Sequence, residues 1–283
     1  MSKKTPNLKS YYGFTKMPFT KYMWASKMYT ADSQQQLLTG LALWLQTKGI
    51  ALVYGPTGVG KSISLRRFKN DADERRYDIF YLFNLRLTPL GFMRSLSRVL
   101  NLPVLYHQAD LFDSLSAYLG QYQQRCNKHP VIIFDDADLL PDQLLETLRL
   151  LANFDMDSDD RVSFIVSGTH KLAARLRSGQ NESLKQRIGF SHQLTGFTID
   201  DAIAYVQFHL DRAEAPAKLF TSNAVKTIFH YAKGLPRVIN QIAIQALIRA
   251  AIKGKQVIDA DFLKQHVFVN SLFDNNLDEH QLS

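Results

Sequence analysis

The stretch that most constrains this chain is Gly55-Pro56-Thr57-Gly58-Val59-Gly60-Lys61-Ser62. It fits the pattern GxxxxGK[ST] and stands between an apolar run, IALVY (50–54), and a stretch from about Lys61 to Asn70 that reads as helix. Glycines let backbone N–H groups turn inward, and the first turn of a helix has N–H groups to spare, so the two together cradle phosphates. Lys61 is placed to reach the β and γ phosphates of a nucleotide, and Ser62 supplies a hydroxyl to Mg²⁺. The buried strand that delivers such a loop to a helix already implies an α/β fold.

The rest of the pattern agrees. Residues 33–47 read as a mostly apolar helix capped by Ser33 and ended by Gly49. DIFYLFN (78–84) is a second continuous apolar run, expected as a strand covered on both faces. Helices are expected at about 90–100 and 111–126, then a third strand in VIIFDD (131–136). A helix over 141–153 has proline in its first turn, and VSFIVSG (162–168) is the fourth strand. Strands alternating with helices predict a doubly wound parallel sheet.

After Thr198 only helices are expected. Thr198 with Asp201 resembles a capping box, Thr221 or Ser222 caps a second helix that stops at Gly234, Pro236 opens a third, and Asp259 caps a fourth. The expected division is a basic N-terminal arm (1–32), an α/β nucleotide-binding domain (33–197), a small all-helical lid (198–273) and an acidic tail (274–283).

Composition excludes several classes. Cys126 is the single cysteine, so an internal disulfide and a cysteine-based zinc site drop out. The eight histidines show no metal-binding spacing, leaving no case for metal chemistry beyond Mg²⁺, and no catalytic triad stands out. The longest apolar candidate for a span, Val238 to Ile252, is interrupted by Asn240, Gln241, Gln245 and Arg249. A cytoplasmic protein without a membrane partner is expected. The net charge of +8 is concentrated in residues 1–31, where Lys3, Lys4, Lys9, Lys16, Lys21 and Lys27 stand without an acid. Interleaved with Tyr11, Tyr12, Phe14 and Phe19, they suit either a polyanion such as nucleic acid or a solubilising terminus.

Asp135 and Asp136 end the third apolar strand about 75 residues beyond the phosphate loop, the Walker B pattern. Asp135 is expected to hold Mg²⁺ through its water shell, and Asp136 to polarise the attacking water. An aspartate in the second place, where glutamate is more usual, shortens the reach by one methylene. Slow hydrolysis is expected, with the nucleotide acting more as a switch than as fuel.

Taken in order, YYGFTKMPF (11–19), GPTGVGKS, FDDAD (134–138), SGTHKL (167–172), SLKQRIGF (183–190) and GLPRVINQIAIQAL (234–247) resemble an AAA+ ATPase. The resemblance is closest to the ExeA/GspA-like family and to transposition regulators of the TnsC/MuB kind, and spans almost the whole chain. It implies ATP as the cofactor with Mg²⁺, Ser167 or Thr169 in the sensor 1 place, Arg187 as arginine finger to a neighbouring subunit, and Arg237 as sensor 2. Arginine suits these places because its planar fork pairs with phosphate oxygens and stays charged. Phe14, Pro18 and Phe19 match a segment that lies near the adenine, or are core packing. Arg86, Arg94 and Arg98 match a DNA-facing region of the transposition branch, or are solvated helix charges. Lys171 and Arg175, one helical turn apart, could touch DNA or a neighbouring subunit.

The function expected from resemblance and charge is that of an ATP-dependent regulator of DNA transposition. It would bind double-stranded DNA without sequence preference, assemble as a homo-oligomeric ring or helical filament, and recruit a transposase, with a target-selection protein as a further partner. The alternatives are a secretion-associated ExeA/GspA-type ATPase and an ATP-gated protein scaffold without DNA binding. Longer ExeA/GspA members carry a membrane span and a peptidoglycan-binding domain after the ATPase. The sequence ends at Ser283 with neither, which sets the transposition branch first.

Overall fold

The computed structural model describes residues 7–20, 28–82, 88–154, 159–216 and 218–269. The chain divides into two compact units, Asp32–Thr195 and the residues on either side of it.

The first unit is built on five parallel strands: β1 (Ile50–Tyr54), β2 (Tyr77–Leu82), β3 (His129–Phe134), β4 (Ser163–Gly168) and β5 (Ile188–Gln193). They lie side by side in the order β2-β3-β4-β1-β5. In register, Ile50 pairs with Phe164 and Ile188, and Val131 with Ser163. Alternate residues Ile50, Leu52, Ile132, Phe134, Phe164 and Val166 join one apolar cluster with three helices, α4 (Pro89–Val99), α5 (Gln108–Gly120) and α7 (Asp142–Leu151). The intervening Ala51, Val53, Val131, Ile133 and Ile165 point to the other face, and all are buried. Leu37 and Leu41 of α2 (Asp32–Trp44) and Leu65 and Phe68 of α3 (Lys61–Asp71) are buried outside that cluster. Cover on both faces is why β1, β3 and β4 read as unbroken apolar runs.

Three expectations are corrected here. The sheet has a fifth strand, β5, whose sequence IGFSHQ alternates half-buried with exposed residues, as an edge strand does. With no apolar run to announce it, it is a strand only because β1 offers a free edge. The run at 78–84 forms β2 over Tyr77–Leu82, also at an edge, and only Leu82 in it is fully buried. The single helix expected at 111–126 starts at Gln108 and breaks after Gly120, giving α5 and the short α6 (Tyr122–Cys126).

The second unit is helical. It contains α1 (Leu8–Tyr12), α10 (Ile199–Arg212), α11 (Ser222–Ala232), α12 (Pro236–Ile252) and α13 (Ala260–Leu263), followed by one π-helical turn, Lys264–Phe268. The first unit's remaining α-helices among the described residues are α8 (His170–Arg177) and α9 (Glu182–Lys185). In this unit the caps fall where the sequence places them, whereas Ser33, expected to cap α2, lies inside that helix, which starts at Asp32, and its hydroxyl accepts from the Thr195 N–H at 3.4 Å. Thr198 and Asp201 make a reciprocal capping box, and Thr221 and Asp259 cap α11 and α13 through their side chains. Tyr12, Phe14 and Phe19 are buried in the same apolar cluster as Ile239, Ile242 and Leu247 of α12. The Tyr12 hydroxyl donates to the Leu247 carbonyl at 2.9 Å, and the Phe19 N–H to His209 Nδ1 at 3.2 Å. The segment read as a basic arm therefore supplies core to the helical unit. Lys3, Lys4, Lys21, Lys27 and the acidic tail lie outside the described residues.

Candidate functional site

All five strands point the same way, so their carboxyl ends share one edge of the sheet, where ligands of such folds collect. The loop leaving β1 holds Gly55–Gly60, the one leaving β3 opens with Asp135 and Asp136, and β4 lies between them ending in Ser167, Gly168 and then Thr169. The Gly55 N–H donates to the Gly168 carbonyl at 3.2 Å, joining the first loop to the end of β4.

Within the loop, two glycines are needed for different reasons. A Cβ on Gly55 would collide with the Leu194 carbonyl, and Gly60, at φ +114°, has a backbone that side-chain-bearing residues avoid. Lys61 and Ser62 then open α3. Lys61 is only 7% exposed, and its ammonium donates to the carbonyls of Gly55 at 2.9 Å and Pro56 at 3.1 Å. These bonds hold the ammonium against the loop, at the start of a helix whose first-turn N–H groups favour anions. Thr57 and Ser62 are exposed, Val59 is buried, and Pro56 and Gly58 are half-buried. Loop, lysine and hydroxyl suit a polyphosphate with a hard cation.

Asp135 is 3% exposed and its carboxylate is held by three donors. Oδ1 accepts from the Ser167 hydroxyl at 2.9 Å and the Asp136 N–H at 3.1 Å; Oδ2 accepts from the Tyr81 hydroxyl at 2.8 Å. Burial, followed by that bond to Asp135, pushes the Tyr81 hydroxyl well above the ordinary tyrosine range, so it remains a donor. Asp136 is exposed and sits at φ +57°, a left-handed conformation that aspartate tolerates better than most residues.

Ser167 and Thr169, alternatives for one role in the sequence, have different attachments. Ser167 is fully buried on Asp135, whereas Thr169 caps α8 and donates its hydroxyl to Asp138 Oδ1 at 2.7 Å. Asp138 also accepts from the N–H groups of Thr169 at 2.7 Å and Leu172 at 3.1 Å. Arg175 returns from α8 to the carbonyls of Asp138 and Leu140 and to Asp142 at 2.7 Å. It is thus a clamp on the β3 exit rather than half of a basic stripe with Lys171, which is exposed. Tyr81 and Asp138 were not singled out from the sequence. Tyr81 is hidden inside an apolar run, and Asp138 is one of three acids in FDDAD.

The remaining candidates are elsewhere. Arg187 immediately precedes Ile188, which pairs with Ile50 at the start of β1. It therefore lies at the opposite end of β1 from Gly55, roughly 16 Å away at 3.3 Å per residue. Its charge is felt by Glu146, whose carboxyl is held below the usual range chiefly by its bond with Arg149. Arg237 stands in the first turn of α12 in the helical unit. Arg94 is half-buried, donating to the Tyr106 carbonyl at 3.2 Å with its guanidinium over the Tyr106 ring. Arg98, one turn on, is exposed, and Arg86 falls outside the described residues. Among the described residues, no group of His, Cys, Asp and Glu is arranged to hold a metal ion by itself, and no helix is long and apolar enough to cross a membrane.

Residues 45–176 match the family model described as an AAA domain. In structure, the chain is similar to Cdc6p of Pyrobaculum aerophilum (TM-score 0.63, 19% identity, 88% of this chain and 70% of that one). It is also similar to ORC2 of Aeropyrum pernix (TM-score 0.67, 16% identity, 94% and 74%). The fold is that of the AAA+ P-loop NTPases. In sequence, the chain is 28% identical over 254 residues to general secretion pathway protein A of Aeromonas hydrophila. The match takes in 88% of the chain but 46% of that protein, so the chain spans less than half the length of its relative.

Proposed function

We propose that the chain is an ATP-dependent switch of the ExeA/GspA-like type, binding ATP with Mg²⁺, hydrolysing it slowly and passing its nucleotide state to a protein client. The observation that carries this is the convergence of Lys61, Asp135 and Ser167 on one sheet edge, delivered by β1, β3 and β4. The backbone of Gly55–Gly60 and Lys61 bind the phosphates, and Ser62 and Asp135 hold the metal. Bound Mg²⁺ supplies charge neutralisation at the transferring phosphate. Asp136 takes the proton of the attacking water, Ser167 steadies Asp135, and Thr169 belongs to the α8 cap. Arg237 takes the sensor 2 role.

Arg187, at the far end of β1 from the phosphate loop of its own chain, serves a neighbour's nucleotide. Supply in trans requires head-to-tail contacts, hence a ring or a helical filament. Titration with a fluorescent ATP analogue tests the binding step. The Lys61→Ala variant is expected to lose binding at least tenfold, since a charge-assisted phosphate contact is worth about 1.5–3 kcal/mol. Intact binding in that variant would remove the phosphate-loop assignment.

The similarity to a secretion-pathway protein brings forward the branch that the sequence reading set second. Regulation of DNA transposition on double-stranded DNA, with a transposase and a target-selection protein as partners, stands as the second reading, favoured by the net charge of +8. Duplex-DNA anisotropy at low salt, with a slowly hydrolysed ATP analogue against ADP, separates the two. ATP-dependent binding with regular oligomers supports the DNA reading; no binding in either state leaves the protein-client switch.

A further inference from the structure

The hydrogen bond from Tyr81 to Asp135 joins an edge strand to the acid that ends β3, and the nucleotide chemistry above does not require it. A carboxylate has about four acceptor positions, two on each oxygen. On Asp135 both positions of Oδ1 are taken, by the Ser167 hydroxyl and the Asp136 N–H, and one on Oδ2 is taken by Tyr81. One position is left, on Oδ2. The residue is nearly fully buried and its donors come from β2, β4 and its own loop, so the carboxylate is fixed in plane as well as in place.

A carboxylate so filled accepts one further hydrogen bond well and forms a bidentate metal contact badly. This distinguishes hard cations. Mg²⁺ gives up its waters reluctantly and is held through them, whereas Ca²⁺ sheds them readily and takes carboxylates directly, often through both oxygens. We propose that Tyr81 is a positioning residue that sets metal selectivity, leaving Asp135 one acceptor for the water shell of nucleotide-bound Mg²⁺ and denying Ca²⁺ a direct ligand. The inference rests on the ATP–Mg²⁺ reading above. It adds a residue to it, on a strand that carries no part of the phosphate loop or of the acid pair.

The test is the dissociation constant of a fluorescent ATP analogue measured in EDTA, in Mg²⁺ and in Ca²⁺, for the native chain and for Tyr81→Phe, which keeps the ring and removes the donor. The native chain is expected to bind tighter with Mg²⁺ than with Ca²⁺. Tyr81→Phe is expected to narrow that preference about fivefold, the worth of one hydrogen bond, with the EDTA value unchanged. An unchanged ratio in the variant, or no preference in the native chain, overturns the role given to Tyr81. If the native chain binds no nucleotide, or binds it indifferently to Mg²⁺, the ATP–Mg²⁺ reading itself fails instead. Thermal melting reports whether Tyr81→Phe is folded. Ser167→Ala frees a position on Oδ1 from the β4 side and is expected to narrow the preference in the same direction. Should Tyr81→Phe not fold, an unchanged ratio in Ser167→Ala overturns the proposal.

Discussion

At the residue scale, the second acid of FDDAD carries the sharpest expectation. Asp136 is exposed and held at φ +57°, so its carboxylate leaves the backbone in a direction set by a left-handed turn. Aspartate and asparagine tolerate that conformation where most residues are strained by about 1–2 kcal/mol. Asp136→Asn should therefore fold and bind nucleotide as the native chain does, but turn over at least 100-fold more slowly, as loss of a general base does. Steady-state phosphate release beside an equilibrium binding titration reads both. Asp136→Glu restores the missing methylene. If reach limits hydrolysis, kcat rises about tenfold, corresponding to ~1.4 kcal/mol of barrier. An unchanged rate, in a variant that melts and binds nucleotide as the native chain does despite the left-handed backbone, would mean that the short side chain is already placed correctly and that slowness has another cause.

At the element scale, α8 depends on an acid outside itself. Asp138 accepts from two N–H groups and one hydroxyl at its N-terminus, and Arg175 closes the loop back onto Leu140 and Asp142. Asp138→Ala removes the acceptor for all three, at a cost of about 2–3 kcal/mol by analogy with lost caps and unsatisfied donors. Differential scanning calorimetry should show a melting point lower by several degrees, with nucleotide binding weakened less than by Lys61→Ala. A second element-scale dependence is acid-sensitive. His209 in α10 is 4% exposed, and its Nδ1 accepts the Phe19 N–H, so it must be neutral there. Burial, and then the charge of Arg212, lower its pKa to about 4. A histidine depressed in the folded state contributes stability that is full above its unfolded value of about 6.5 and is lost as pH falls towards 4. Over that window the loss is on the order of 3 kcal/mol. His129, on β3, is lowered to about 4 mainly by burial and adds to the same loss. Melting curves from pH 7 to pH 4 should fall steeply, and less so in His209→Gln.

The elements that escaped the sequence share a physical cause. β1, β3 and β4 are central, covered on both faces, and so announce themselves as apolar runs. β5 and α1 owe their form to neighbours and carry no period of their own. The same holds at the site. Gly55–Ser62 and Asp135 are legible because the phosphate binding proposed for them demands residue types at fixed spacing. Tyr81 and Asp138 act through side chains that meet only when β2 and β4 are laid beside β3. Ser167 and Thr169 stand two residues apart in sequence, and only the fold gives one to Asp135 and the other to Asp138.

At the scale of the whole molecule, the open question is whether one chain makes a working site. Lys61 and Asp135 stand at the carboxyl end of the sheet, while Arg187 stands at the other end of β1. If the arginine acts on a neighbour, each active site is shared, and the two halves can be damaged in different chains. Arg187→Ala should bind ATP with native affinity yet hydrolyse it at least 100-fold more slowly, since an arginine supplied to phosphoryl transfer is worth 10³ or more. Lys61→Ala should do neither. Mixed in equal amounts, the two inactive variants would form interfaces in which an intact phosphate loop from one chain faces an intact arginine from the other. Random assembly places that pairing at about a quarter of the interfaces, so the mixture should recover up to about a quarter of native turnover. Recovery that grows with protein concentration would establish the shared site. A mixture no more active than its components, with Arg187→Ala alone still turning over normally, would make Arg187 a surface cation beside Glu146 and return catalysis to the single chain.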